Sequence, residues 1–151
     1  MSKDSVEKKN TVKKQVKVMV FGTFDGLHEG HINFFKQAKS LSKDSFLIVS
    51  IARDKNVLRI KGLLPRRNEK ERKILVGRNT LVDKVILGNV HDYLAHILKI
   101  KPAIIALGYD QKAYVRTLRK DLRDKGVFVT IVRLKPYKEK IYKNHLLNKL
   151  L

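Results

Sequence analysis

A chain of 151 residues accommodates one domain built around one core, and its 43% hydrophobic content excludes a disordered body. The absence of Cys excludes disulfides, thiolate metal sites and a cysteine nucleophile, and favours a reducing compartment. Thirty-four Lys and Arg against fourteen Asp and Glu leave a formal net charge of +20, which suits a polyanionic partner, whereas the bland alternative is a basic composition with no function attached.

Residues 1–14 (MSKDSVEKKNTVKK) have no apolar period and read as a disordered basic tail without an assigned function. From Gln15 the pattern becomes regular. QVKVMVFG predicts a first strand ending at Gly22, and Ile32, Phe35, Ala38 and Leu41 recur at helical spacing over His31 to Leu41. Phe46 to Ala52 (FLIVSIA) is a continuous apolar run, as in a strand buried on both faces of a parallel sheet. A basic loop containing Gly62 and Pro65 follows, and Asn68 then caps a helix that runs to about Arg78, with Glu69 and Glu71 in its first turn. Strands are predicted at Asp83 to Gly88, Ala103 to Gly108 and Val127 to Leu134. Helices are predicted at Tyr93 to Ile100, Lys112 to Asp124 and Asn144 to Leu151.

Strands alternating with helices predict an α/β fold: a Rossmann-like, doubly wound parallel sheet of about five strands with helices on both faces. No apolar run approaches the roughly 20 residues of a spanning helix, and the N-terminus has no signal-peptide pattern, so the expectation is a cytoplasmic protein without a membrane partner.

The segment Phe21 to His31 (FGTFDGLHEGH) lies between the first strand and the first helix, at the carboxyl end where open α/β sheets bind ligands. Gly22 permits close backbone approach, Asp25 and Gly26 suit a turn, and Gly30 leaves the helix N-terminus open to an anion. His28 and His31 stand three apart and so fall on one side of the helix, where two imidazoles can donate to phosphate oxygens. The alternative is a pair of helix caps. Zinc on the same histidines would find Asp25 as its only nearby third ligand. His91, His96 and His145 have no glycine-rich neighbours and read as surface or boundary residues, and no Walker or dinucleotide glycine fingerprint occurs.

GTFDGLHEGH resembles the GTFD-x-x-H-x-G-H signature of the cytidylyltransferase-like nucleotidyltransferases. The similarity extends over residues 16–135 through ARDKNV, ERKIL and KPAIIALGYDQ, and LGYDQ at Leu107 to Gln111 is similar to archaeal-type FAD synthases. The resemblance implies a single nucleotidyltransferase domain over residues 15–151. It would move a nucleoside monophosphate from a triphosphate to a phosphorylated acceptor and release pyrophosphate, with a divalent metal, Mg2+, as cofactor. ATP with FMN is the first pair implied, and CTP with glycerol 3-phosphate or a similar phosphoalcohol the second.

Residue by residue, the resemblance implies catalytic roles for His28, His31, Lys61 and Arg72. It implies nucleotide binding by Gly22, Thr23, Phe24, Asp25, His28, Glu29, Gly30, His31, Gly108, Asp110 and Tyr137, with no protein metal ligand. A homodimer is consistent with the family. This chain departs from the family pattern where a Ser/Thr-rich turn usually precedes the last helix and YKNHLL stands at Tyr142 to Leu147. A rival from another class is a basic nucleic-acid-binding module, which a steep loss of binding with ionic strength would reveal.

Overall fold

The computed structural model describes residues 14–137 except 91 and 112–114. The predicted tail (residues 1–14) apart from Lys14, the predicted terminal helix (residues 144–151), His91 and His145 lie outside the described residues. Five strands form one sheet: β1 (Val16–Gly22), β2 (Ser45–Ile51), β3 (Lys84–Leu87), β4 (Ile104–Leu107) and β5 (Thr130–Arg133). Their order is β3-β2-β1-β4-β5 and every pairing is parallel. The helices are α1 (Glu29–Lys39), α2 (Asp54–Lys61), α3 (Glu69–Gly77), α4 (Tyr93–Ile100) and α5 (Val115–Asp124).

The alternation of side chains along β1 divides the core. Val18 and Val20 face a cluster with Phe35 and Ala38 of α1, Leu47 and Val49 of β2 and Val76 of α3. Met19 faces the opposite layer, with Ile97 of α4, Ile105 of β4 and Leu118 and Leu122 of α5. Burial on both faces explains why β1 and β2 read as nearly continuous apolar runs. The expectation of helices covering both faces of a doubly wound parallel sheet therefore holds. Successive strands add outward on opposite sides of β1, so the switch point of the topology opens a crevice beyond the carboxyl end of β1.

One expectation needs correcting: the stretch after Arg53 is not all loop, because residues 54–61 form α2. Arg53 makes no side-chain cap there and Val57 alone is buried in the helix, so the sequence carries little periodic signal. What holds α2 is tertiary. The Asp54 N–H donates to the Glu69 carboxylate (3.0 Å) and the Glu69 N–H donates to the Asp54 carboxylate (3.2 Å), so the N-termini of α2 and α3 cap one another. The bond from the Asp54 N–H, with Arg53 beside it, holds the Glu69 carboxyl below its ordinary range. Gly62 ends α2 at φ 78°, a left-handed conformation that glycine adopts without strain. As predicted, Asn68 caps α3, in a reciprocal box with Glu71. Among the described residues no helix is long and apolar enough to cross a membrane.

Candidate active site

The β1–α1 loop folds back on itself around two imidazoles. His28 is the N-cap of α1, and its Nδ1 accepts from the N–H of Gly30 (3.0 Å) and of His31 (3.4 Å). In return, the His28 N–H donates to Nδ1 of His31 (3.3 Å), so the two histidines form a capping box normally built from hydroxyl and carboxylate side chains. Both Nδ1 atoms are acceptors, which places the proton of each neutral ring on Nε2. The rings stack with centroids 3.8 Å apart. For His28 the capping reading and the ligand-facing reading are thus compatible, because Nδ1 alone serves the helix.

Phe24 supports this arrangement from below. Its backbone lies at φ 52°, unusual for a bulky residue, and its buried ring meets His31 edge-on at 5.3 Å and packs on Phe34 and Phe35. A Cβ on Gly22 would stand 2.5 Å from that ring, so glycine is required at the end of β1.

Burial, followed by the neighbouring His28, lowers the His31 pKa from 6.5 to about 4, against an opposing hydrogen bond to the Gly26 carbonyl. The folded value lies below the unfolded one, so the contribution of His31 to stability is fully present above pH 6.5 and is lost as pH falls through about 4. Urea midpoints are therefore expected to decline between pH 6.5 and 4 more steeply in the wild type than in His31→Gln, whose amide caps without titrating in that window. Equal declines would separate the cap from the titration.

Ten of the residues implicated by the sequence line one cleft of about 870 Å³ at the carboxyl ends of β1, β4 and β5: Gly22, Thr23, Phe24, His28, Gly30, His31, Lys61, Gly108, Asp110 and Tyr137. Lys61 reaches from the end of α2 to within 3.5 Å of the Thr23 hydroxyl. Gly108 is fixed by its neighbours: its N–H donates to the Gln111 side chain (2.8 Å), and its carbonyl accepts from Arg133 (2.7 Å). Phe34, Gln111 and Lys135 also line the cleft and were not singled out as contacts in the sequence. Lys135 could be anticipated only from its place just past the end of β5.

Three expected contacts are placed elsewhere. Arg72 is 0% exposed, its guanidinium committed to Asp54 (2.7 Å), the Thr23 carbonyl (2.8 Å) and the Arg67 carbonyl (3.0 Å), so it holds the loop behind Thr23 and does not line the cleft. Asp25 likewise turns away: its carboxylate accepts from the N–H of Arg66 (2.7 Å) and Arg67 (2.8 Å). Those two bonds, Arg67 first, hold its carboxyl below the ordinary range. Glu29 sits exposed in the first turn of α1, outside the cleft lining. His96, expected at the surface or boundary, is buried, with Nε2 2.9 Å from the Ser50 hydroxyl. Burial, and then the charges of Lys99 and Arg53, lower its pKa.

No group of three His, Cys, Asp or Glu side chains suited to a metal ion occurs among the described residues, and Asp110 is the carboxylate in the cleft lining.

Comparison with known proteins agrees with this architecture. The model of the family described as cytidylyltransferase-like matches residues 19–144. The chain is 43% identical over 125 residues to the FAD synthase of Archaeoglobus profundus, covering 82% of this chain and 77% of that one. It is 46% identical over 119 residues to the FAD synthase of Korarchaeum cryptofilum, covering 78% and 80%. Among solved structures, the lipopolysaccharide core biosynthesis protein of Thermoplasma volcanium superposes with a TM-score of 0.76 at 38% identity, covering 83% of this chain and 100% of that one. With a five-stranded parallel sheet, a paired-histidine loop at its switch point and a family match over most of its length, this chain belongs to the cytidylyltransferase-like family of nucleotidyltransferases.

Proposed function

We propose that the protein is an ATP:FMN adenylyltransferase, an FAD synthase. The observation that carries this reading is the His28–His31 pair at the N-terminus of α1, facing a cleft that also holds Lys61, Lys135 and Asp110. The archaeal FAD synthases at 43% and 46% identity support the choice of substrates. In the proposed reaction an oxygen of the FMN phosphate attacks the α-phosphorus of ATP. The bond from that phosphorus to the bridging oxygen breaks, and pyrophosphate leaves with the electron pair. No covalent intermediate with the protein forms.

Each residue has a task that its position supports. Nε2–H of His28 donates to oxygens on which charge grows as pyrophosphate departs, and His31 holds the neighbouring ring and loop in register. The positive end of the α1 dipole and the Lys61 ammonium hold the triphosphate. Asp110 and Tyr137 line the same cleft, which supports contacts with the ribose and base. A divalent cation, Mg2+, fits this donor set only as a partner of the triphosphate oxygens with Asp110 nearby, where it would neutralise phosphate charge. The excess of cations suits two polyanionic substrates, since Lys61, Lys135 and Arg59 all border the crevice. A homodimer and a cytoplasmic setting belong to the same proposal.

The assay crosses ATP and CTP with FMN and glycerol 3-phosphate and reads released pyrophosphate and the nucleotide product. FAD formed from ATP and FMN, without turnover of CTP and glycerol 3-phosphate, is the expected outcome. The reverse pattern would keep the chemistry and move the substrates.

A further inference from the structure

A second cleft of about 470 Å³ abuts the first. The two share Phe21, Gly22, Thr23, Asp110 and Gln111 as a common wall, so groups bound on either side meet at the end of β1. Beyond that wall the second cleft is largely apolar, lined by Ile51, Ile60, Val90, Tyr93 and Leu107, with the Tyr93 ring 5.4 Å from that of Phe21 in the wall. Ile60 borders the same cleft and is 65% exposed, an apolar side chain at its mouth.

The polar groups in this lining are not equivalent. Ser50 and His96 satisfy one another at 2.9 Å. Asn56 does not close its account in the same way: its Nδ2 donates to the Asn89 carbonyl (3.0 Å), while its Oδ1 is buried and has no hydrogen-bond partner among the described residues. A buried carbonyl left unpaired is destabilising, so an acceptor is held in reserve beside an apolar slot. The complementary ligand is flat, largely apolar, and carries an N–H on one edge. A three-carbon phosphoalcohol does not match, because its hydroxyls would be left against apolar walls.

We infer that the second cleft receives the isoalloxazine ring of the acceptor, and that Asn56 is the specificity-determining residue that pairs with the imide N–H on the ring's pyrimidine edge. The inference rests on the FAD synthase reading and adds to it where the ring lies and what selects it. Asn56 presents Oδ1 to the ring edge by turning its amide away from the Asn89 carbonyl, Phe21 and Tyr93, already in contact, form one aromatic wall for the ring, and Ile60 covers the mouth. The FMN phosphate then points to the shared wall at Thr23, beside the triphosphate in the first cleft.

The test uses riboflavin as well as FMN, because riboflavin has the ring without the phosphate and reports ring binding as a competitive inhibitor. In Asn56→Leu, the KM for FMN and the inhibition constant of riboflavin are expected to rise together about tenfold, the size of one lost hydrogen bond, with the KM for ATP within twofold of wild type. The thermal midpoint should not fall, because the substitution removes an orphaned buried acceptor and the Asn89 carbonyl belongs to an exposed residue that water can serve. Ile60→Ser, at an exposed position with no folding role, should weaken both flavins several-fold. Wild-type FAD formation with unchanged flavin constants in both variants would overturn the inference and leave the parent reading standing. Absence of FAD formation by the wild type would overturn both.

Discussion

Replacing His28 by Asn is expected to leave α1 capped and to lower kcat by about 10²-fold or more, the usual size for removing one preorganised donor. The two nitrogens of this ring have separable duties. Nδ1 accepts from Gly30 and His31 and holds the helix start, a task the Asn side-chain oxygen performs well. Nε2–H is the donor that Asn cannot place in the cleft. His28→Ala removes both and should add a stability loss of about 1 kcal/mol to the same kinetic defect. Steady-state kinetics with ATP varied at saturating FMN should show the loss mostly in kcat, because the interaction strengthens as charge develops. Turnover of His28→Asn near wild type would remove His28 from the chemistry and leave it a helix cap.

Arg72→Met is expected to cost about 2–4 kcal/mol of stability, somewhat below the usual penalty for breaking a buried pair because Asp54 keeps contact with water. The guanidinium satisfies three acceptors from separate segments: Asp54 of α2, the Thr23 carbonyl of the histidine loop and the Arg67 carbonyl before α3. Arg72→Lys should recover little, since an ammonium cannot reach three acceptors set around a planar fork. Denaturant midpoints and the KM for ATP distinguish this positioning role from direct phosphate contact. Unchanged stability with a raised KM would return Arg72 to the substrate.

What the sequence shows about this fold is what burial dictates. β1 and β2 are apolar on both faces because α1 and α3 cover one side and α4 and α5 the other, so their runs stand out. Asn68 marks the start of α3 because its cap is local, made with a residue three positions on. By contrast, α2 is held by Glu69 from another helix, and no pattern within residues 54–61 reports that. The loop from Phe21 to His31 that lines the first cleft is legible from its glycine and histidine spacing, because loop position and helix start are both local properties. Whether a charged side chain in that region faces ligand or protein is not local. Lys61 and Arg72 look alike in sequence, yet one lies exposed at the cleft while the other is fully buried and triply bonded. His96 was similarly illegible, since its partner Ser50 lies 46 residues away on β2.

The most direct measurement follows the phosphorus atoms. With ATP labelled at the α-phosphorus and unlabelled FMN, the account predicts that label appears in FAD, one for one with pyrophosphate released, and that His28→Asn slows both together. Label released as free AMP without FAD, or transfer of the γ-phosphate to the acceptor, would contradict it.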